Sequence, residues 1–146
     1  MNDNKISASL EDYLEIILNL ADEFNVARSK DIADGLGVSK ASVTGALRLL
    51  KKKGLVNYEP YGYITLTGCG AKAAAEVANK HSVLESFFVD ILDIDTETAR
   101  EAACRTEHAL GIDVVSKLRS FVEYMNEPGC NIAHDFKRYY NNTNGK

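Results

Sequence analysis

No apolar run in this chain approaches the length of a membrane span, and the opening Met1-Asn2-Asp3-Asn4-Lys5 lacks the basic-then-apolar order of a secretion signal. A cytoplasmic protein with no membrane partner is therefore expected. Positive charge is not in excess: 17 Lys and Arg against 21 Asp and Glu leave a net charge of -4. That excludes polyanion binding driven by overall charge, so any contact with nucleic acid must use a local basic patch. The 3 cysteines, Cys69, Cys104 and Cys130, form no CxxC pair, and their odd number suits reduced thiols better than a disulfide framework. With only 2 prolines and 45% hydrophobic residues the chain folds. Its 146 residues suffice for one ordinary domain, or for two small ones that lean on each other or on a second subunit. There is no glycine-rich phosphate loop, nucleophile elbow or HExxH motif, so neither an enzyme nor a small-molecule substrate is expected.

What is present begins with Cys104-Arg105-Thr106-Glu107-His108. On a helix, residues three and four apart share a face, so the Cys104 sulfur is expected beside the Glu107 carboxylate and the His108 imidazole. Two further pairs accompany it: Asp12 and Glu15, three apart, and His81 and Glu85, four apart. Three helices each offering a pair of metal-binding groups is a pattern that packing alone seldom needs. Thiolate, imidazole and carboxylate together suit a first-row divalent ion of borderline softness, whereas carboxylates and imidazoles alone lean toward manganese. Cys104 therefore favours Fe(II), with Mn(II) next and Zn(II), Co(II) or Ni(II) as surrogates. Cys130 and His134, also four apart beside Asp135, follow the Pro128-Gly129 break and make a weaker pair.

Apolar spacing predicts an amphipathic helix over residues 9–24 behind a Ser9 cap, with Leu10, Tyr13, Leu14, Ile16, Ile17, Leu20 and Phe24 at helical spacing. A short helix from Lys30 to Leu36, capped by Ser29, then a turn at Gly37-Val38, then a longer helix from Ser39 to about Lys53 give the pattern of a helix-turn-helix. Val38, Val43, Leu47 and Leu50 are its inward residues. Two β-rich runs flank Glu59-Pro60-Tyr61-Gly62 and make a hairpin wing. The helical pattern returns from Ala71 to Ile91, from Asp95 or Thr96 to Leu110, and from Asp113 to Met125. The expected fold is mostly α: an N-terminal winged helix-turn-helix with a small β-hairpin wing over residues 1–72, an all-helical metal-binding and dimerisation domain over 73–140, and a polar, flexible tail over 141–146.

The second helix of the helix-turn-helix opens on small hydroxylated residues and ends in lysines, a combination that lets its start approach base edges while its end attracts phosphate. The expected DNA-binding residues are Arg28, Ser39, Lys40, Ala41, Ser42, Thr44, Arg48, Lys51 and Tyr61. A solvated helix end or a protein-binding winged helix remains open at this point. So does a winged-helix regulator that answers to a small organic ligand or to oxidation of Cys104, and so does a zinc enzyme built on a Cys-Glu-His set.

Taken together, Ser9-Leu10-Glu11-Asp12-Tyr13-Leu14-Glu15, Asp31-Ile32-Ala33, Val38-Ser39, Ser42-Val43-Thr44, Lys53-Gly54-Leu55-Val56, Tyr58-Glu59-Pro60-Tyr61, Ile64-Thr65-Leu66-Thr67, His81 with Leu84-Glu85, and Glu101-Ala102 through Glu107-His108 resemble the diphtheria toxin repressor and manganese transport regulator family. The resemblance runs from about residue 7 to 122 and joins the wing to the ligand pattern in order. It implies a homodimeric, metal-activated repressor that binds a palindromic double-stranded DNA operator. It also implies that the SH3-like third domain of longer members is absent. By position, Asp12 and Glu15 match first-helix ligands of manganese-type members, where iron-type members carry methionine at the place of Asp12. His81, Glu107 and His108 match ligands of both types, and Glu85 matches an ancillary ligand of the iron type. Cys104 agrees with the iron type, where manganese-type members have glutamate, and Arg100 stands where the iron type has a further histidine. The chain is a hybrid of the two.

Overall fold

The computed structural model describes residues 6–145; Met1 to Lys5, on which the absence of a secretion signal was read, and Lys146 lie outside the described residues. The chain forms two compact units, Met1–Ala78 and Asn79–Lys146.

In the first unit, helix α1 (Ala8–Phe24) begins two residues earlier than a Ser9 cap would place it, because the Ser7 hydroxyl oxygen accepts from the Leu10 N–H at 3.3 Å. Leu10, Tyr13, Leu14 and Ile17 recur at helical spacing and are all buried. Burial also pushes the Tyr13 phenol above its ordinary value. Helix α2 (Ser29–Leu36) starts at Ser29 itself, so the expected Ser29 cap is replaced by Arg28, whose side chain makes no cap bond. Gly37, at φ 65°, reverses the chain, and its N–H bonds back to the Ala33 carbonyl. Val38, expected inside, is 36% exposed at the turn. Helix α3 (Lys40–Lys52) is capped as expected by Ser39, which accepts from Ser42 N–H at 3.1 Å.

The wing is shorter than its sequence run. Strand β1 (Val56–Asn57) pairs antiparallel with β2 (Thr65–Leu66), Val56 opposite Leu66 and Asn57 opposite Thr65. A third short contribution, not legible from the sequence pattern, comes from Ala27, which exchanges backbone hydrogen bonds with Ile64 at 3.3 and 2.9 Å. Leu14, Ile17, Ile32, Val43, Leu47, Leu50 and Ile64 are fully buried and form the core that locks α1, α2, α3 and the wing together. Each such side chain contributes about 2 kcal/mol of burial.

Helix α4 (Gly68–Ser86) begins three residues before the expected Ala71. Thr67 is the reason: its Oγ1 accepts from Gly70 N–H at 3.0 Å and donates to the Gly54 carbonyl at 2.7 Å. Gly70 is required there, since a Cβ would sit 1.8 Å from the Leu55 carbonyl oxygen.

In the second unit the last part of α4 widens into a π-helical turn, Phe87–Ile91, with Leu92 N–H bonded to the Phe87 carbonyl. Asp95 caps α5 (Thr96–Thr106), accepting from Thr98 N–H at 3.0 Å. That backbone bond holds the Asp95 carboxyl below its ordinary value. A helix was expected to continue to Leu110, but it tightens into a 3-10 turn at Glu107–Ala109. Helix α6 (Ile112–Met125) buries Val115 and Val122 while its neighbours Val114 and Phe121 stay 53% and 43% exposed. Its apolar stripe is thus wider than one chain covers. Ile91, Val122 and Met125 form a small core edged by Phe87, Leu92, Cys130 and Ala133. Helix α7 (Ile132–Asn144) has no buried residue, and Lys137 ties it to Asp93 at 2.8 Å. The expected tail is therefore helical through Asn144: Thr143 and Asn144 bond back to the Tyr139 and Tyr140 carbonyls, which local polar residues can do without any packing.

Candidate metal centre and DNA-binding face

Within the second unit the structure brings four of the expected metal-binding residues together. Glu107 is fully buried. Its Oε2 lies 2.7 Å from His81 Nδ1, and its Oε1 lies 3.5 Å from His108 Nε2. The other ring nitrogen of His81 faces Glu85 Oε2 at 3.3 Å. A carboxylate wholly removed from water and flanked by two half-buried imidazoles is costly unless positive charge accompanies it. The donor set of imidazole nitrogens and carboxylate oxygens fits a first-row divalent cation, which can replace the proton at a ring nitrogen.

Helix α5 ends at Thr106, and Glu107 and His108 begin the 3-10 turn that follows it, the Glu107 N–H still bonding to the Ala103 carbonyl. Glu107 therefore falls on the buried line of Ala99 and Ala103, four residues apart, while Cys104 is exposed on α5. In the first unit, Asp12 and Glu15 are both half-buried on α1, three residues apart and so on one side of it. Cys130 is half-buried at the edge of the small core, and His134 is exposed beside Asp135 at 3.9 Å.

The DNA-facing candidates lie in the first unit. A cleft of about 790 Å³ between α3 and the wing is lined by Arg28, Lys40, Thr44, Arg48 and Tyr61 from the expected set. The same cleft adds Lys30 and Tyr63, which lie outside that expected set. Lys30 was missed because it precedes the helix-turn-helix turn; its signal was proximity to Arg28. Arg28 lies over the Tyr63 ring at 5.3 Å and its Nη2 approaches the Tyr63 hydroxyl at 3.5 Å. Ser39, Ala41 and Ser42 are exposed at the start of α3, but the Ser39 and Ser42 hydroxyls bond each other at 2.9 Å. Thr44 Oγ1 donates to the Lys40 carbonyl at 3.0 Å. Lys51 is turned to the wing, where it meets Glu59 at 2.6 Å.

A winged helix with a basic cleft, followed by a helical unit holding a buried imidazole and carboxylate group, defines a metal-dependent DNA-binding regulator. The N-terminal DNA-binding domain of the iron dependent repressor matches residues 5–64, and its metal binding and dimerisation domain matches residues 67–131. An uncharacterized HTH-type transcriptional regulator of Methanocaldococcus jannaschii is 38% identical over 119 residues, covering 81% of this chain and 95% of that protein. The HTH-type transcriptional regulator MntR of Bacillus subtilis is 34% identical over 119 residues, covering 82% of this chain and 83% of the relative. A solved manganese-dependent transcriptional repressor in complex with manganese superposes with a TM-score of 0.72 at 28% identity, over 79% of this chain and 53% of that one. The chain thus spans about half the length of that structure's chain. The protein belongs to the iron-dependent repressor family, whose members are transcriptional regulators and not enzymes. It is a metal-dependent transcriptional repressor with a DNA-binding domain and a dimerisation domain. Among the described residues, no helix is long and apolar enough to cross a membrane.

Proposed function

We propose that this protein is a cytoplasmic homodimeric repressor of metal-homeostasis genes that binds a palindromic operator when loaded with Mn(II) or Fe(II). The observation that carries the metal reading is the buried Glu107 between His81 and His108. In this reading residues 1–72 read DNA, residues 73–140 hold metal and dimerise, and the ligands are Asp12 and Glu15 with His81, Glu107 and His108, Glu85 being ancillary. The expectation of Fe(II) over Mn(II) rested on Cys104. The imidazole and carboxylate donors of His81, Glu107 and His108 lean toward Mn(II), and a manganese-bound relative of the same fold supports that choice.

The bound ion supplies fixed positive charge that cancels the mutual repulsion of these carboxylates. Asp12 and Glu15 belong to the DNA-reading half, while His81, Glu107 and His108 belong to the dimerising half. Ligands from both sets on one ion would restrict the two halves to fewer arrangements. An arrangement that holds a dimer's two α3 helices near the spacing of successive major grooves, about 34 Å, would bind an operator. The ion would favour that arrangement only by its differential affinity for it. Lys30, Lys40 and Arg48 supply phosphate attraction, and the start of α3 approaches the base edges.

The test is metal analysis with an anaerobic DNA-shift titration against Fe(II), Mn(II) and Zn(II), repeated with His108→Ala. Metal-stimulated binding that survives that substitution would count against the site. The exposed Cys104 thiol favours one second reading, a repressor answering to thiol oxidation. Insensitivity of DNA binding to a chelator, with sensitivity to oxidant, would select it.

A further inference from the structure

We propose that Lys51, with Glu59, is a strut that aims the tip of the wing, and that Lys51 acts as a positioning residue rather than as a phosphate contact. The inference rests on the DNA-binding reading above and reassigns one of its candidates.

Lys51 lies in the last turn of α3, and its ammonium makes two bonds, to the Tyr58 carbonyl at 2.8 Å and to Glu59 Oε1 at 2.6 Å. Both acceptors belong to the chain just entering the wing tip. Glu59 is also the first residue of the turn Glu59-Pro60-Tyr61-Gly62, closed by the Gly62 N–H on the Glu59 carbonyl at 3.0 Å. Proline at the second position and a positive φ at the third describe a type II turn, whose third position ordinarily takes glycine or asparagine. Here that position is Tyr61, at φ 65° and fully exposed. A residue with a Cβ in that conformation is strained, and such strain is held where surrounding bonds over-determine it. The strut and the closing turn bond are what fix this tip.

The same geometry separates Lys51 from the cations that face DNA. Lys30, Lys40 and Arg48 line the cleft between α3 and the wing together with Tyr61, whereas Lys51 lines a different groove with Val56, Asn57 and Glu59. An exposed ion pair adds little stability. Its effect here is directional, since it acts on two consecutive residues at the root of a strained turn.

The test uses the full chain, Mn(II) and a mixed-sequence DNA duplex, comparing Lys51→Ala, Glu59→Ala and the double variant with Arg48→Ala as the control. A strut predicts that both single variants weaken binding about two- to fivefold, the range an exposed ion pair supports, and that the double variant is no weaker than either. The slope of log affinity against log salt should stay unchanged in Lys51→Ala but fall by about 0.9 in Arg48→Ala. In the metal-free, DNA-free protein, amide exchange at Gly62 should quicken severalfold in both single variants. Tighter binding by Glu59→Ala, the result expected if that carboxylate merely repels DNA, would overturn the proposal. So would a slope loss of about 0.9 in Lys51→Ala, or an unchanged Gly62 exchange rate. Failure of the wild-type chain to bind the duplex would instead overturn the DNA-binding reading, because Gly62 exchange reads the strut without metal or DNA.

Discussion

His81 Nδ1 lies 2.7 Å from Glu107 Oε2, joining the end of the long α4 helix to the 3-10 turn that follows α5. The contact is sheltered, since Glu107 is fully buried and His81 only half-exposed to water. It fixes one imidazole and one carboxylate relative to each other before any ion arrives, which lowers the ordering cost of ligation.

The first prediction concerns Glu107→Gln. Glutamine matches glutamate in shape, so helix content and thermal midpoint should change little, whereas the lost charge and lost ligand oxygen should weaken Mn(II) binding by at least about tenfold. Competition with a fluorescent chelator measures the affinity, and circular dichroism checks the fold. Unchanged affinity would make Glu107 a structural partner of His81 and nothing more.

Legibility from the sequence followed the range of the forces at work. Helices α1 and α3 were readable because their buried positions repeat at helical spacing, and Gly37 and Gly54, both at positive φ, mark the breaks after α2 and α3. The wing was readable through its Pro-Tyr-Gly turn, but its pairing with Ala27 was not, because a single backbone bridge leaves no periodicity. The ligand residues were legible as types and spacings. The burial of Glu107 was not, since a charged residue on the line of Ala99 and Ala103 gives no apolar signal by which to place it inside. Helix α7 escaped because its Ile132, Phe136, Tyr139 and Tyr140 stay largely exposed and its polar end looked like a tail.

Gly70→Ala should destabilise the first unit by about 3 kcal/mol, the upper end for forcing atoms into a filled site. The added methyl would meet the Leu55 carbonyl oxygen at 1.8 Å, and backbone cannot swing aside as a flexible side chain would. Chemical denaturation measures the loss. Gly68→Ala, where nothing lies within 4 Å of the new carbon, serves as the tolerated control.

Ser39 separates capping from DNA reading. Ser39→Ala removes the acceptor for the Ser42 N–H and should cost about 1 kcal/mol of stability. Ser39→Asp keeps that acceptor, so its stability should equal wild type. Its added negative charge at a helix start proposed to enter the polyanionic groove should nevertheless weaken DNA binding by at least about tenfold, the cost of roughly 1.4 kcal/mol of repulsion. If Ser39→Asp binds as tightly as wild type, the start of α3 does not approach DNA.

Asp95 supplies the pH test. The Thr98 backbone N–H donates to its carboxylate and holds its folded value below the ordinary one. A depressed carboxylate contributes stability above its unfolded value and loses it as pH falls through the folded value, because the unfolded chain then binds the proton first. Asp95→Asn keeps a capping oxygen without the charge. Wild type should therefore melt at a higher temperature than Asp95→Asn at neutral pH, and the gap between them should close as the medium is acidified through and below the ordinary aspartate range. Thermal melts of the two proteins across that range measure it; a gap that persists unchanged at the acid end would mean that the charge of Asp95 plays no part in holding the start of α5.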